Sequence, residues 1–561
     1  MYTISIHKSD YSEYEFISND GKTLKFTNPE MIKGFFHNDK INYTKENNKV
    51  ELVSRSKIVD NIAGELELYS KYSFKPNKKG VPTYLFTPIN KFLPKFLVSS
   101  TIKRKKKCNQ LITIIYTTWD KSNVFPKGNI IKIYGDKNDL KAIEEIYVSK
   151  YNLDNTNLNK YFKGIHTQII DNNLPIVNRE TITTEIISID PDKCKDIDDA
   201  FSITLINKIL TVDIHISDVY YLLKNFNLID KINNISSIYL SSKINPMLPT
   251  IISNNLGSLL EKTDRFMISI IIKYDTENHM IISKKLRKTY GHIKRNYTYD
   301  NYPKKINRYF SYIESLYSLI IGQNICINDS HVFIEALMII YNTLFCRELL
   351  SLNVDPIYRV QSCKNKNKNT INNIDYKLKN FINIIESHSA LYSISKDGHC
   401  TLNINEYTHA TSPLRRIIDL INQELYYNYK SNILNRIKLE FINNYNKNLK
   451  KCYRDIAKLK LAHYVYNNSS YITKCYLYDY NLTKKYIYLY FPDENISIKT
   501  LLYGKKIDTI YSLQIDNDNI NVIDSMSKII FNIPILKLTS VRIFGKIDIY
   551  NPDSSILLDF K

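Results

Sequence analysis

The sequence predicts a multidomain α+β protein in which small β modules flank a larger mixed α/β centre. Three observations carry that reading. The chain has 561 residues, more than one hydrophobic core usually supports. Short alternating apolar runs bounded by turn signals occupy both ends. Between them, from about Ile306 onward, apolar residues recur at three and four, the spacing of amphipathic helices. With 43% hydrophobic residues the chain can build buried cores, which excludes wholesale disorder.

The elements follow in order. From Met1 to about Ile170, the runs KINYT, KVELVS, GELELYS, LITIIYTTW and NIIKIYG read as strands of all-β modules. The five cations Lys103 to Lys107 between them suit a phosphate track, a nuclear address or a solvated loop. From about Thr181 to Tyr290, strands (TEIISID, AFSITL, LTVDIHI, MISIIIKY) mix with the Pro-rich NPMLP. Helices are predicted at INRYFSYIESLYSLIIG, HVFIEALMIIYNTLFCRELLS, IIDLINQELYYNY and LEFINNYNKNLKKCYRDIAKLKLAHYVY. KNKNKNTINN, beginning at Lys364, reads as a surface loop, and beyond about Asn467 strands return.

A net charge of +21 favours polyanionic partners, nucleic acid or anionic membrane. The chain is also rich in Ile, Asn, Lys and Tyr, as AT-biased codons would make it, so charge alone does not decide between partner and codon bias. Eight scattered cysteines without C-x-x-C or zinc spacing read as free thiols of a reducing compartment. No apolar run reaches the roughly 18 residues of a membrane span, and the N-terminus lacks a signal-like apolar segment. A soluble, cytoplasmic protein without a membrane partner is expected, with a nuclear location as the alternative.

The chemistry concentrates in Ser188-Ile189-Asp190-Pro191-Asp192-Lys193-Cys194-Lys195-Asp196-Ile197-Asp198-Asp199-Ala200-Phe201-Ser202-Ile203. Carboxylates crowded between two strand-like runs raise one another's pKa unless a counter-charge sits among them. A divalent cation supplies it, and oxygen ligands without His or Cys favour Mg²⁺ or Mn²⁺ over zinc. A calcium EF-hand loop would need Asp or Asn at Cys194, Gly at Lys195 and Glu at Phe201, and is excluded. A solvated acidic loop is the competing reading. Four acids suffice for two ions of the kind that hydrolyse phosphodiesters. Downstream, Thr411-Ser412-Pro413-Leu414-Arg415-Arg416 reads as a helix entry whose amides and arginines face an anion.

In combination these segments resemble the RNB family of exoribonucleases, which includes ribonuclease II, ribonuclease R and the exosome nuclease. The resemblance rests on Asp190 to Ile203, His215 to Val219, Tyr239-Leu240 leading to Asn245 through Pro249, and Ser258-Leu259 with Asp264-Arg265. It continues through Ile334-Glu335 to Asn342, Tyr358-Arg359, and Tyr407 to Arg416. Phe86-Thr87-Pro88, Trp119, Phe125 to Gly128 and Tyr134-Gly135 resemble the second cold-shock barrel of that family. The resemblance implies cold-shock-type OB barrels over 1–80 and 81–170, a mixed α/β RNB catalytic domain over 171–466, and a C-terminal OB-type barrel over 467–561. No extra N-terminal nuclease domain is expected.

The family's chemistry is 3′-to-5′ hydrolysis of single-stranded RNA to nucleoside 5′-monophosphates with Mg²⁺. The resemblance makes Asp190 and Asp199 the principal metal ligands, with Asp196 and Asp198 serving a second ion and the attacking water. Two Mg²⁺ ions are implied, with Mn²⁺ as a substitute and no nicotinamide or nucleotide cofactor. Arg415 would hold the scissile phosphate, and Tyr239, Tyr290, Glu335, Arg359, Thr411, Ser412 and Arg416 would contact RNA. His215 reads as structural, and His409 is left unassigned. Ala336, Ile417 and Gln423 depart from the family's usual Glu, Tyr and His, which bears on processivity and end recognition. A monomer is expected. The alternative is a degenerate member that binds RNA without cutting it.

Overall fold

The computed structural model describes residues 1–69, 74–102, 108–120, 123–159, 174–363, 375–484, 486–501, 512–516, 519–523 and 529–559. The basic run 103–107 and the Lys-Asn patch 364–373 fall outside them. The chain divides into two compact units, one formed by 1–154, 369–384 and 446–561 and the other by 155–368 and 385–445.

The first unit uses one strand order three times. The N-terminal strands Tyr2–Ile6, Tyr14–Ser18, Thr23–Phe26, Lys40–Thr44 and Lys49–Ser54 form an antiparallel sheet with the third and fifth strands at its edges and the first at its centre. That is the order of a five-stranded OB barrel opened between strands three and five. In the next module the same order closes, because Lys127–Asp136 pairs in parallel with Phe96–Ser99. This barrel begins at Ile62, since Ile62–Glu67 pairs with Thr83–Pro88 and Gln110–Thr118. The boundary expected at residue 80 therefore falls inside the second module, where GELELYS supplies the first strand. Its core holds Phe36, Leu66, Phe86, Phe96 and Ile112. The C-terminal strands Tyr471–Asn481, Tyr486–Phe491, Ile496–Leu501, Leu538–Gly545 and Ile556–Asp559 repeat the order, and three further strands intervene in sequence.

One helix of this unit departs from the all-β expectation for residues 1–170, and a second lies where the sequence reading named no element. Leu140–Lys150 is capped by Asp139 and buries Ala142, Ile143, Ile146 and Tyr147. Tyr376–Glu386 places Leu378 and Phe381 against Tyr476 and Tyr490. The helix Leu439–Asn467 seats Ala462 and Val465 in the C-terminal core. There a glycine is required by proximity: a Cβ on Gly545 would lie 2.0 Å from the Ala462 carbonyl oxygen and 2.5 Å from the Tyr466 amide nitrogen.

The second unit is built on a closed barrel of Glu180–Asp190, Asp199–Ile206, Ile209–Ser217, Thr263–Asp275 and Met280–Thr298, antiparallel throughout except where the last strand pairs in parallel with the first. Four of these five strands match the alternating runs of the sequence. The fifth, 19 residues long, was not among the expected strands, because its Lys284, Lys285, Arg287, Lys288, Lys294 and Arg295 break the apolar alternation. The barrel has a buried polar thread: Ser202 Oγ to His215 Nε2 (2.9 Å), His215 Nδ1 to Ser269 Oγ (2.7 Å), and Ser269 Oγ to Thr289 Oγ1 (2.6 Å). Burial pushes His215 down to about 3, so it remains the neutral structural residue the sequence suggested. The helix Ser330–Ser351 packs on the barrel, its Tyr341 hydroxyl donating to the Ile268 carbonyl (3.0 Å) and its Phe333 ring meeting Phe201.

The expectation of eight free thiols is corrected at one pair. Cys363 and Cys400 are joined, their Cα atoms 5.5 Å apart, because a bridge between Gln361 and His399 aligns the two segments. No helix among the described residues is long and apolar enough to cross a membrane.

Gly545→Ala is expected to destabilise the C-terminal sheet by about 1–3 kcal/mol or more, since the helix backbone cannot yield as a side chain would. Hydrogen exchange should show lost amide protection in Tyr471–Asn481 and Leu538–Gly545 with the closed barrel of the second unit unchanged. Unaltered protection in both strands would contradict the close packing.

Candidate active site

Register places the acids. The strand Glu180–Asp190 ends on Asp190 and the next begins on Asp199, so the connection between them hangs at one rim of the barrel. That connection is pinned: Ile197 N donates to Ser258 Oγ (3.0 Å), Leu259 N to the Ile197 carbonyl (2.9 Å) and Ser217 N to the Asp198 carbonyl (2.9 Å). Asp196 and Asp198 are buried, at 9% and 2% exposure, and Asp190 and Asp199 are partly so. Asp192 and Lys193 stay at the surface.

Asp198 is held from the far side of the sequence. Its Oδ1 accepts from the Leu414 amide (2.8 Å) and its Oδ2 from Arg415 Nε (2.9 Å). The turn carrying these donors is itself fixed. Asp419 Oδ1 accepts from Ser412 N (2.7 Å) and Arg416 Nη2 (2.8 Å), and Ser412 Oγ accepts from Arg415 Nη2 (2.9 Å). Thr411 Oγ1 accepts from Arg416 Nη2 at 3.4 Å. Thr411 and Ser412, expected on the RNA, are therefore buried supports of the two arginines. The helix expected to begin at Thr-Ser-Pro begins at Ile417 instead. The preceding residues form a turn whose free amide does face an anion, Asp198.

Tyr239 donates its hydroxyl to Asp196 Oδ2 while the residue is 39% exposed, and Cys194 Sγ approaches Asp196 Oδ1 at 3.7 Å. The structure thus gathers Asp190, Asp196, Asp198, Asp199, Arg415 and Tyr239. Arg359 and Arg416 stand close by, Arg359 stacked on Tyr392 at 4.6 Å. Tyr290 lies elsewhere, against Phe266 and beside Asp264. Glu335 is exposed on its helix, where its charge adds to burial in raising the Tyr317 hydroxyl. The aromatic neighbour that sequence reasoning missed is Tyr299. Parallel pairing sets Asp190 opposite Thr298, so the next residue falls beside the acids. Burial and the charges of Asp199 and Asp190 push Tyr299 up to about 12, and its ring stacks on His331 at 3.7 Å. The three departures are packing residues. Ala336 and Ile417 are buried, and Gln423 bonds the Ser217 carbonyl (2.7 Å) and Tyr220 amide (3.1 Å).

Electrostatically the cluster holds more negative charge than Arg415 balances. Burial, then Asp196, pushes Asp190 up to about 6 against the opposing Ser188 hydrogen bond and Arg415. Burial pushes Asp198 up to about 7 despite Arg415 and the Leu414 amide. Asp199 lies well above the ordinary range through burial and its neighbours Asp190 and Asp198. Asp190 Oδ2 is buried without a hydrogen-bond partner. Among the described residues no three acids, histidines or cysteines already stand at coordination distance from one point. An orphaned buried carboxylate oxygen beside self-repelling acids fits a hard divalent cation.

The RNB domain family matches residues 179–320 and 322–432, and the Dis3-like cold-shock domain 2 matches 83–148. The chain belongs to the RNB family. Its RNB domain therefore contains both the four aspartates and Arg415. Among relatives, the exosome complex exonuclease RRP44 of Mus musculus is 25% identical over 240 residues, 41% of this chain and 24% of that protein. Ribonuclease R of Mycoplasmopsis pulmonis is 28% identical over 309 residues, 42% of each chain. The matched region is thus less than half of either relative. In fold, Mycoplasma genitalium RNase R in complex with ribose-methylated single-stranded RNA superposes with a TM-score of 0.73 at 16% identity over 100% of both chains. Yeast Ssd1, a pseudonuclease, superposes with a TM-score of 0.64 at 13% identity, covering 93% of this chain and 81% of that one.

The raised pKa values fix the sign of a pH effect. An Asp whose folded pKa exceeds its unfolded value of about 3.9 takes up a proton on folding, so its contribution to stability falls as pH rises from about 4 to about 7 and is then level. In EDTA, the melting temperature of the RNB domain is expected to drop across this window. Mg²⁺ should restore it at about pH 8 and do little at about pH 5. A metal effect equal at both pH values would contradict the cluster's assignment.

Proposed function

We propose that this chain is a divalent-metal-dependent exoribonuclease that degrades single-stranded RNA from its 3′ end to nucleoside 5′-monophosphates. The observation that carries the reading is a buried, self-repelling set of four aspartates kept beside an arginine with unused donors. A site without chemistry has no reason to bear that electrostatic burden. The fold shared with an RNA-bound RNase R supports RNA as the substrate.

In this reading Asp190 and Asp199 hold the principal ion, and Asp196 and Asp198 serve a second. Bound Mg²⁺ supplies activation of the attacking water and neutralises charge on the leaving oxygen. The rest falls to the chain's own residues. Arg415 has five N–H donors, of which Nε serves Asp198 and one Nη2 proton serves Ser412. The others remain on a side chain that is 42% exposed, and can take a phosphate through two parallel hydrogen bonds. Tyr239 orients Asp196 through its hydroxyl and offers an exposed ring for base or sugar packing.

A second reading, a degenerate RNA-binding member, is favoured by the likeness to the pseudonuclease Ssd1. One assay separates the two. Full-length protein is incubated with 5′-labelled linear RNA, its DNA counterpart and circular RNA, with Mg²⁺ or EDTA. Progressive shortening of linear RNA alone, only with Mg²⁺, is expected. A gel shift without cleavage supports the binding-only reading, and cleavage of the circle contradicts exonuclease action. Asp198→Asn should bind RNA as the parent does yet lose turnover. Removing an outer partner of a metal ligand already costs about 10–100-fold, and losing the ligand's own charge should cost more.

A further inference from the structure

His409 lies two residues before Thr411 on the same segment and has no role in the site as derived so far. Its Nδ1 receives two contacts, from the Tyr392 hydroxyl at 2.8 Å and from Arg416 Nη1 at 3.2 Å. Arginine can only donate. A proton on Nδ1 would therefore point at an N–H, so Nδ1 must be the acceptor for both neighbours. The proton of the neutral ring is then fixed on Nε2. Nε2 has no hydrogen-bond partner among the described residues, and the residue is partly exposed. The rings of Tyr392 and Tyr407 meet the imidazole edge-on at 5.6 and 5.8 Å and hold its plane.

The surroundings select the ligand. Arg416, Arg359, Arg415 and His399 all bear on His409 and, after burial itself, disfavour its protonation. Arg416 is partly neutralised by Asp419 at 2.8 Å. Arg359 forms no ion pair among the described residues; its guanidinium lies over the Tyr392 ring, whose hydroxyl reaches His409. Tyr392 therefore carries an uncompensated cation on its face and a tautomer-locked imidazole at its hydroxyl. A neutral N–H donor beside an unpaired guanidinium suits a phosphodiester oxygen.

We propose that His409, through its Nε2–H, and Arg359 together hold one backbone phosphate of the bound strand, a phosphate other than the one that Arg415 takes. This rests on the reading of the chain as an RNA-binding nuclease. Because the imidazole is neutral, it contributes direction where the arginines contribute charge.

The test is equilibrium binding of a fluorescent single-stranded oligoribonucleotide to the full chain in EDTA, where no hydrolysis intervenes. Asparagine keeps a polar atom near Nδ1 but none at Nε2, whereas glutamine extends an N–H to the Nε2 position. His409→Asn is expected to bind about tenfold more weakly, the size of a lost hydrogen bond to a charged group. The loss should be equal at about pH 6 and about pH 8, on either side of an ordinary histidine pKa. His409→Gln should recover most of the affinity. The salt dependence should stay at the parental slope in His409→Asn but fall by roughly 0.7 in Arg359→Gln, which removes a phosphate-neutralising charge. A set of oligonucleotides, each with one neutral methylphosphonate linkage, should reveal a linkage that weakens the parent and not His409→Asn.

Equal affinity in His409→Asn and parent overturns the proposal alone. So does an equal loss in Asn and Gln variants, the mark of a merely structural residue. Failure of the parent itself to bind RNA overturns both this proposal and the nuclease reading.

Discussion

Asp198 is the residue around which the RNB domain is arranged. It is a carboxylate almost wholly removed from water, next to three others, and it survives there because Leu414 and Arg415 reach it from 216 and 217 residues away. A buried charge must be paired or it neutralises. Meeting that constraint dictates local sequence well beyond the acids. The Leu414 amide is free only because the chain turns at Ser412 to Arg415, and Asp419 holds the turn from inside the following helix. Close approach of the neighbouring segment requires Gly257, where a Cβ would lie 2.7 Å from Leu414 Cδ2 and 2.9 Å from the Ile252 carbonyl oxygen. The pairing is also incomplete. One cation cannot balance four carboxylates, and the residual repulsion is what gives the site its appetite for divalent metal.

The barrel beneath the acids explains why they share a rim. Its parallel closure between first and last strands brings Asp190 beside Thr298, and so the ends of distant sequence segments, Asp190 and Tyr299, become neighbours. The other unit solves a different problem with the same economy. Three modules use a single strand order, two as five-stranded sheets and one as a closed barrel. Contacts hold two of these modules together across the sequence: Tyr147 donates to the Ile549 carbonyl (2.7 Å), and Tyr550 donates to Glu65 Oε2 (2.7 Å).

What was legible in the sequence was what is local. The aspartates fall within ten residues, and the strands KINYT and KVELVS and the helix Leu439–Asn467 carry their own periodicity. Less legible were features that exist only through long-range pairing. Tyr299 is one tyrosine among 45 until strand register sets it by Asp190. Tyr290, nine positions earlier, pairs instead with Thr181 and Phe266, away from the acids. Thr411 and Ser412, RNA contacts by the resemblance, are buried and bonded to the two arginines, a role that only the folded turn reveals. The Cys363–Cys400 pair spans 37 residues with no spacing signature. Leu140–Lys150 has helical periodicity, but it is short and lies among strands.

The central claim is that the four aspartates form a cation site by virtue of uncompensated charge. Mn²⁺ binding, followed by the loss of the free-ion electron paramagnetic resonance signal, tests it most directly because it needs no substrate. The account predicts saturable binding to the parent, markedly weaker binding to Asp190→Asn and to Asp199→Asn, and proton release on binding near neutral pH, where the buried acids are partly protonated. Unchanged Mn²⁺ affinity in both variants would contradict it.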